Sequence, residues 1–201
     1  MGAGDESGHE GRRVATFPDD HPAYHRAMAG ALRDGRGRLM ASQGPDELLS
    51  TLEEQERRLI FPSLGYDDAW RLGTLLVELA RERRAPVAID IRCGVQQVFH
   101  CALPGSSADN DAWIDRKRRV VERYAESSYL VGERFRVRGT AFEESSRLDP
   151  DRYAAHGGSF PLRLSRDGPV VGTVTVSGLP QAEDHRLIVE ALERYLGLGS
   201  P

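Results

Sequence analysis

The sequence predicts an α+β fold in which one antiparallel sheet carries helices on its faces. Apolar residues recur three or four positions apart in several segments, a spacing that is typical of amphipathic helices. Other, shorter segments alternate apolar and polar residues and come in pairs joined by turn residues, which is typical of β-hairpins. Hairpins separated by helices favour an antiparallel sheet, because a parallel sheet needs a regular alternation of strands and helices.

The first half of the chain is predicted to contain two helices, a single strand and a hairpin. Leu48, Leu49 and Leu52 share one face of the first helix. Asp67 is a residue type that favours a helix N-terminus, and Gly94 marks the turn of the hairpin. The predicted elements are helix 46–55, strand 59–61 closed by Pro62, helix 67–84, and strands 86–91 and 95–102.

The second half is predicted to contain a long helix, a second hairpin and a final helix. The long helix has an apolar stripe that includes Ile114, Val120 and Val121. Residues 166–168, Arg-Asp-Gly, supply the turn of the hairpin. The predicted elements are helix 108–127, a helical piece 129–135, an irregular connection 138–150, a helical turn 150–155, strands 160–164 and 170–176, and a helix after Pro180. The order α-β-α-β-β-α-β-β-α predicts a five-stranded sheet.

Composition excludes several classes of protein. The chain of 201 residues fits one domain, predicted at 45–198, with a flexible N-terminal extension predicted at 1–44. A formal net charge of −4 and a pI near 5.9 argue against a dedicated nucleic-acid binder. Neither a membrane-spanning run nor a secretory signal is visible, so we expect a cytoplasmic protein. Cys93 and Cys101 are expected to be thiols, because reducing compartments disfavour a disulfide.

A set of short motifs follows in a fixed order through the chain. They are Ala102–Gly105, Asn110, Trp113–Ile114, Arg116–Lys117, Ser127–Ser128, His156–Gly158, Phe160–Pro161, Val176–Gln181 and Asp184–His185. Together they resemble the haem-degrading-domain family of GlcG-like and HbpS-like proteins, especially its uncharacterised cytosolic UPF-type branch, over residues 45–198. The resemblance implies a profilin-like α-β-α sandwich, assembly into a homo-oligomer, and haem or iron as a ligand. Because a fold does not determine a function, these implications need support from the site itself.

Lys117 is the one lysine among 27 basic residues. It follows Trp113 by four residues and precedes Tyr124 by seven, which places it on or beside the apolar stripe of the long helix. As a partly buried ammonium it is a candidate catalytic residue, or a binding group for an anionic ligand. The structural alternative is that its stem covers the core, or that its ammonium pairs with an acidic residue across a subunit interface.

His156 is the second candidate catalytic residue. It precedes two glycines, which allow another group to approach the backbone closely. Its imidazole is a candidate general acid or base, metal ligand or axial haem ligand, because it titrates near neutral pH. The structural alternative is a hydrogen bond to the preceding helical turn or to a loop carbonyl.

Four further residues are candidate ligand-binding groups. The resemblance keeps Asn110 and Trp113 together with Lys117 as the wall of a pocket. Ser177 is placed to bind an anion, such as a haem propionate, at the N-terminus of the last helix. His185 is a candidate contact for a ligand at that helix end or for a neighbouring subunit. For Asn110 the structural alternative is capping of the long helix.

Three functions remain open from the sequence. The first is a cytoplasmic homo-oligomer that binds haem, iron or another small ligand between its sheet and its long helix, with redox activity if it is an enzyme. The second is a non-enzymatic oligomeric scaffold or adaptor. The third is a pathway-specific enzyme that acts on a small molecule. No nucleic-acid or membrane partner is expected.

Overall fold

The computed structural model describes residues 44–198, which form six helices and four strands. The helices are α1 Pro45–Arg58, α2 Tyr66–Glu82, α3 Ala108–Tyr124, α4 Ser128–Val137, α5 Phe142–Ser145 and α6 Gln181–Tyr195, and the strands are β1 Ala88–Cys93, β2 Gln96–Ala102, β3 Ser159–Arg163 and β4 Val170–Ser177. The predicted extension 1–44 lies, apart from Gly44, outside the described residues. None of the described helices is long and apolar enough to cross a membrane.

The strands form one antiparallel sheet in the order β2-β1-β4-β3. In the register of the two central strands, Ile89 of β1 pairs with Cys101 of β2 on one side and with Val176 of β4 on the other. The predicted α+β class with an antiparallel sheet is therefore confirmed. The predicted fifth strand is wrong, because residues 59–61 do not join the ladder.

Residues 59–61 form an extended connection that buries its side chains without pairing as a strand. Leu59 and Phe61 are each 1% exposed. The Phe61 N–H donates to the Arg163 carbonyl at 2.9 Å, a single bond at the end of β3. Pro62 has no N–H to continue such a ladder. The apolar pattern at this point therefore reports burial and not strand pairing.

Two other boundaries differ from the sequence prediction. The long helix ends at Tyr124, before the predicted position 127, because Ala125 takes a left-handed conformation with φ of 57°. Its N–H still closes the last turn by donating to the Val121 carbonyl. The predicted irregular connection 138–150 contains the short helix α5.

The main core lies between one face of the sheet and the pair α2 and α6. Strand residues at alternate positions point to this face, as the period-2 geometry of a strand requires. Their partners from the helices recur at helical spacing, so each helix buries one stripe. The cluster includes Leu72, Leu76 and Leu79 of α2, Ile89 and Ile91 of β1, Phe160 and Leu162 of β3, Val174 and Val176 of β4, and Leu187, Ile188 and Leu192 of α6.

The opposite face of the sheet is polar and nevertheless buried. Asp90, Ser159 and Thr175 alternate with the core residues and are each at most 1% exposed, because α3 packs across β1, β3 and β4. The hydroxyls of Ser159 and Thr175 are hydrogen-bonded at 2.8 Å. The Asp90 carboxylate accepts hydrogen bonds from Arg92 and Gln97. A polar layer thus lies beneath α3 in which these groups are hydrogen-bonded, while the buried Thr173 hydroxyl of β4 has no partner among the described residues.

Candidate functional site

His156 lies in the segment between α5 and β3, with Trp113 of α3 beside it. The two rings meet edge to face, with centroids 5.4 Å apart. The His156 side chain is 38% exposed, and its Nε2 lies 3.6 Å from the Glu143 carboxylate of α5. This distance is longer than a hydrogen bond, although interaction with the imidazole lowers the pKa of the Glu143 carboxyl. The imidazole is therefore accessible and only weakly held.

His156 lines an open cleft of about 350 Å³, at the lower end of the roughly 300–1,000 Å³ typical of small-ligand sites. Arg136 of α4 adds a guanidinium to the lining, and the Phe142 side chain borders the cleft although it is only 4% exposed. The Arg136 guanidinium is hydrogen-bonded to the Glu133 carboxylate. Gln181, the first residue of α6, completes this side of the cleft. The cleft lining therefore combines one imidazole and one guanidinium with the carboxylates of Glu133, Glu143 and Glu144.

Trp113 is half-buried and also carries a cation on its ring. The guanidinium carbon of Arg116 lies 4.2 Å from the Trp113 ring centroid, within cation–π distance. Arg116 Nε donates to the Pro150 carbonyl at 2.9 Å, which leaves the terminal nitrogens as further donors. Asn110 lies elsewhere on α3 and caps it, since its Oδ1 accepts the Ser107 N–H at 2.7 Å.

Lys117 and Asp184 form a buried ion pair that joins α3 to α6. Their side chains are 4% and 1% exposed. Lys117 Nζ donates to Asp184 Oδ2 at 2.8 Å and to the Val176 carbonyl of β4 at 3.1 Å. The other Asp184 oxygen accepts the Leu179 N–H at 3.0 Å. Burial raises the pKa of the Asp184 carboxyl, and the Lys117 ammonium opposes that rise. Hydrogen bonds on both groups are what a buried pair requires.

The ion pair packs against the turn that follows His156. Gly158 has a φ of +118°, and a Cβ there would lie 2.7 Å from Lys117 Nζ and 2.5 Å from the Val176 carbonyl oxygen. Only glycine fits such a close approach. The preceding Gly157 N–H donates to the Gln181 side chain at 3.2 Å. Lys117 thus supports the turn, whereas His156 lines the cleft.

His185 and Ser177 are both buried. His185 is 3% exposed, and its Nε2 lies 2.8 Å from the Gln55 Oε1 of α1. Its ring packs between Tyr129 and Phe160, and its Nδ1 has no hydrogen-bond partner among the described residues. Burial lowers the pKa of His185 to about 3, so the ring is neutral. Ser177 is 4% exposed at the end of β4. Neither side chain is open to a ligand in this conformation.

A second cleft, of about 620 Å³, lies between α1, α4 and the turn after β3. Glu56 accepts the Ser127 N–H at 2.7 Å, and burial raises the pKa of Glu56 to about 6. Arg163 donates to two carbonyls at this cleft, and Arg134 pairs with Glu126 at 2.7 Å. No local pattern in the sequence marks Glu56, because its partner Ser127 lies 71 residues away. Within residues 44–198 no cluster of three or more His, Cys, Asp or Glu forms a metal site.

The sequence matches known proteins over most of the described range. A family model described as "Haem degrading protein HbpS-like" matches residues 64–193. UPF0303 protein SCO2848 of Streptomyces coelicolor is 72% identical over 149 residues, which are 74% of this chain and 94% of that protein. A UPF0303 protein of Edwardsiella ictaluri is 46% identical over 153 residues, or 76% of this chain and 97% of that protein.

Solved structures share the fold. The Ybr137w protein has a TM-score of 0.68 and 34% identity, and the match covers 74% of this chain and 87% of that chain. PduOC, solved as a complex with haem, has a TM-score of 0.55 and 19% identity over 68% of this chain and 97% of that chain. HbpS has a TM-score of 0.52 and 15% identity over 80% of this chain and all of that chain. The last two likenesses concern the fold alone.

Proposed function

We propose that this chain, which belongs to the HbpS-like haem-degrading-domain family, binds haem or a related flat, anionic ligand at the His156 cleft. The observation that carries the proposal is the accessible imidazole, 3.6 Å from the Glu143 carboxylate. A metal-ligating histidine usually donates its second ring N–H to a carboxylate. Glu143 is close enough to accept that bond after a small movement, which leaves the other ring nitrogen for iron.

The surroundings of His156 offer a flat anion an aromatic ring and guanidinium groups, although the cleft lining also carries the carboxylates of Glu133, Glu143 and Glu144. The half-buried Trp113 ring, packed against His156 beside the cleft, offers aromatic surface to a ring system. Arg136 and Arg116 offer donors for carboxylates, and guanidinium–carboxylate bonds are among the stronger charge-assisted pairs. The Glu133 carboxylate, however, already accepts a hydrogen bond from the Arg136 guanidinium. The ligand carboxylate would therefore compete with Glu133 or share the cation.

The size of the cleft argues for binding with part of the ligand in solvent. A volume of about 350 Å³ is small for a large macrocycle. His156 would hold the iron, the arginines would orient the carboxylates, and Trp113 would exclude water from one side. Haem, when bound, supplies redox-active iron. We place this ligand binding in the cytoplasm, because a reducing compartment keeps thiols such as those of Cys93 and Cys101 unpaired.

Titration of the full-length protein with haem, followed by the Soret absorption band, tests this function. We expect a shifted Soret band with the wild type, and affinity at least about tenfold weaker in His156→Ala. His100→Ala is the matched control, because His100 pairs with Asp111 away from the cleft. An unshifted Soret band with the wild type, or equal affinity in His156→Ala, would overturn the proposal.

A second candidate function is a homo-oligomeric scaffold that needs no ligand. It is favoured by the structural roles of several motif residues. Lys117 and Asp184 pair with each other, and Asn110 caps its own helix. Such residues would specify the fold in any member of the family, whatever it binds. Under this function the wild type assembles in solution while haem leaves its absorption and its mass unchanged.

A further inference from the structure

Three large apolar side chains stand exposed beside the outer strand of the sheet. Tyr66, Trp70 and Val95 are 67%, 63% and 92% exposed, and we refer to them as the Trp70 patch. Tyr66 and Trp70 are four residues apart on α2, so they share one helix face. The Tyr66 hydroxyl donates to the Gln96 side chain at 3.1 Å, which joins this face to the turn between β1 and β2.

Packing beneath the patch explains why Trp70 is outside the core. The Phe99 ring of β2 lies so close to Gly73 that a Cβ there would be 2.5 Å from it. The space next to this turn of α2 is therefore filled. The Trp70 ring rests edge to face against Phe99, with centroids 5.9 Å apart. An indole held in place and mostly in water is typical of an interface anchor.

The strand next to the patch is an open edge. β2 is the outer strand of the sheet and pairs with β1 alone. Soluble proteins usually protect such edges with charged residues or proline. The strand sequence, Gln-Gln-Val-Phe-His-Cys-Ala at 96–102, contains no Asp, Glu, Lys, Arg or Pro. The register between β1 and β2 shifts next to Phe99, which distorts the beginning of β2. Residues 99–102 pair regularly with β1.

We propose that the Trp70 patch and the β2 edge bind a second copy of this chain around a twofold axis. Exposed charges beside the patch support self-association: Asp67 follows Tyr66 and Arg71 follows Trp70. When two α2 helices pack antiparallel through the patch, Asp67 faces the partner's Arg71 and Arg71 faces the partner's Asp67. Such reciprocal pairing is the signature of an isologous interface.

The area of the patch is compatible with a dimer. Aromatic side chains bury about 150–250 Å² each, so the exposed parts of the three residues amount to roughly 300–400 Å² per copy. Two copies then contribute about 600–800 Å², and the strand edges bring the total towards the roughly 1,000 Å² of a specific interface. This inference rests on the scaffold function proposed above, because it identifies the surface through which the scaffold would assemble.

Measurement of the mass of the full-length protein in solution across a concentration series tests the surface. We expect the wild type to assemble, and both Trp70→Glu and Val95→Glu to halve the mass at the same concentration. Val95 lies in a turn, so its variant does not disturb the core. Leu164→Glu is the matched control, since Leu164 is 47% exposed next to the opposite edge strand, and it should assemble like the wild type.

The outcomes separate this inference from the function on which it rests. A monomeric wild type at about 100 μM overturns both, since a contact with a Kd above that concentration is too weak to hold a scaffold together in solution. A wild-type oligomer that survives Trp70→Glu and Val95→Glu overturns the surface and leaves the scaffold function. Loss of assembly in Leu164→Glu as well as in the patch variants also overturns the surface, because it shows a general effect of the added charge.

Discussion

Lys117→Met is expected to destabilise the domain strongly, because it leaves the Asp184 carboxylate buried without its counter-charge. The Asp184 side chain is 1% exposed, so water cannot replace the ammonium. The substitution also removes the donor to the Val176 carbonyl at 3.1 Å. Methionine keeps the length and the apolar stem of lysine, so the change removes the charge and its hydrogen bonds and little else.

The magnitude follows from the burial of the pair. Removing one partner of a buried ion pair costs about 3–5 kcal/mol of unfolding free energy. At about 2–4 °C per kcal/mol for a domain of this size, Tm should fall by roughly 6–20 °C. The Leu179 N–H still donates to Asp184 at 3.0 Å. Because the carboxyl can also become protonated, we expect the lower half of this range.

Urea unfolding at pH 7, followed by circular dichroism, measures this loss. Arg123→Met is the control, because Arg123 is an exposed cation on the same helix, and its loss should stay within about 0.5 kcal/mol. The double variant Lys117→Met/Asp184→Asn should lose less than the two single variants together, since it leaves no buried charge. Wild-type stability in Lys117→Met, or additive losses in the double variant, would refute the ion-pair reasoning.

Two further predictions concern the pH dependence of stability. Burial raises the pKa of Glu56 from 4.5 to about 6, so the native state binds this proton more tightly than the unfolded chain. The free energy of unfolding should therefore fall by up to about 2 kcal/mol as the pH rises from about 4.5 to about 6. Glu56→Gln should abolish that fall in urea midpoints, and an unchanged slope would contradict the assignment. Because burial lowers the pKa of His185 to about 3, stability should instead be lost as pH falls below about 6.5. His185→Gln should remove this acid sensitivity, and a variant as acid-sensitive as the wild type would show that another group causes it.

The sequence predicts the main core well because both periodicities arise from burial on one side. Leu72, Leu76 and Leu79 line the buried face of α2, and their spacing alone identifies the helix. Ile89 and Ile91 line the buried face of β1, and their spacing of two residues identifies the strand. The failure at Leu59 and Phe61 has the same origin, since a connecting segment also buries apolar side chains without strand pairing.

The polar layer beneath α3 could not be predicted from the local pattern. Alternation of Asp90 with Ile89 and Ile91 is typical of a strand with one face in water, yet α3 covers that face. The partner of Lys117 was equally hidden, because Asp184 lies 67 residues further along the chain. What the sequence did indicate was the place of Lys117 on or beside the apolar stripe, and the side chain is indeed buried.

The distribution of occupied and available polar groups determines where a ligand can bind. A ligand at Lys117 would have to break the bonds to Asp184 and Val176, a cost of the same order as the roughly 3–5 kcal/mol for losing one partner of the pair. A ligand at the other ring nitrogen of His156 breaks no hydrogen bond of the described residues, and the Glu143 carboxylate, 3.6 Å from Nε2, stays beside the ring. A ligand at His156 therefore gains binding free energy without first breaking a hydrogen bond. A ligand at Lys117 must first replace the two hydrogen bonds that its ammonium makes. The buried pair serves to hold the Gly157–Gly158 turn, and through it the position of the imidazole.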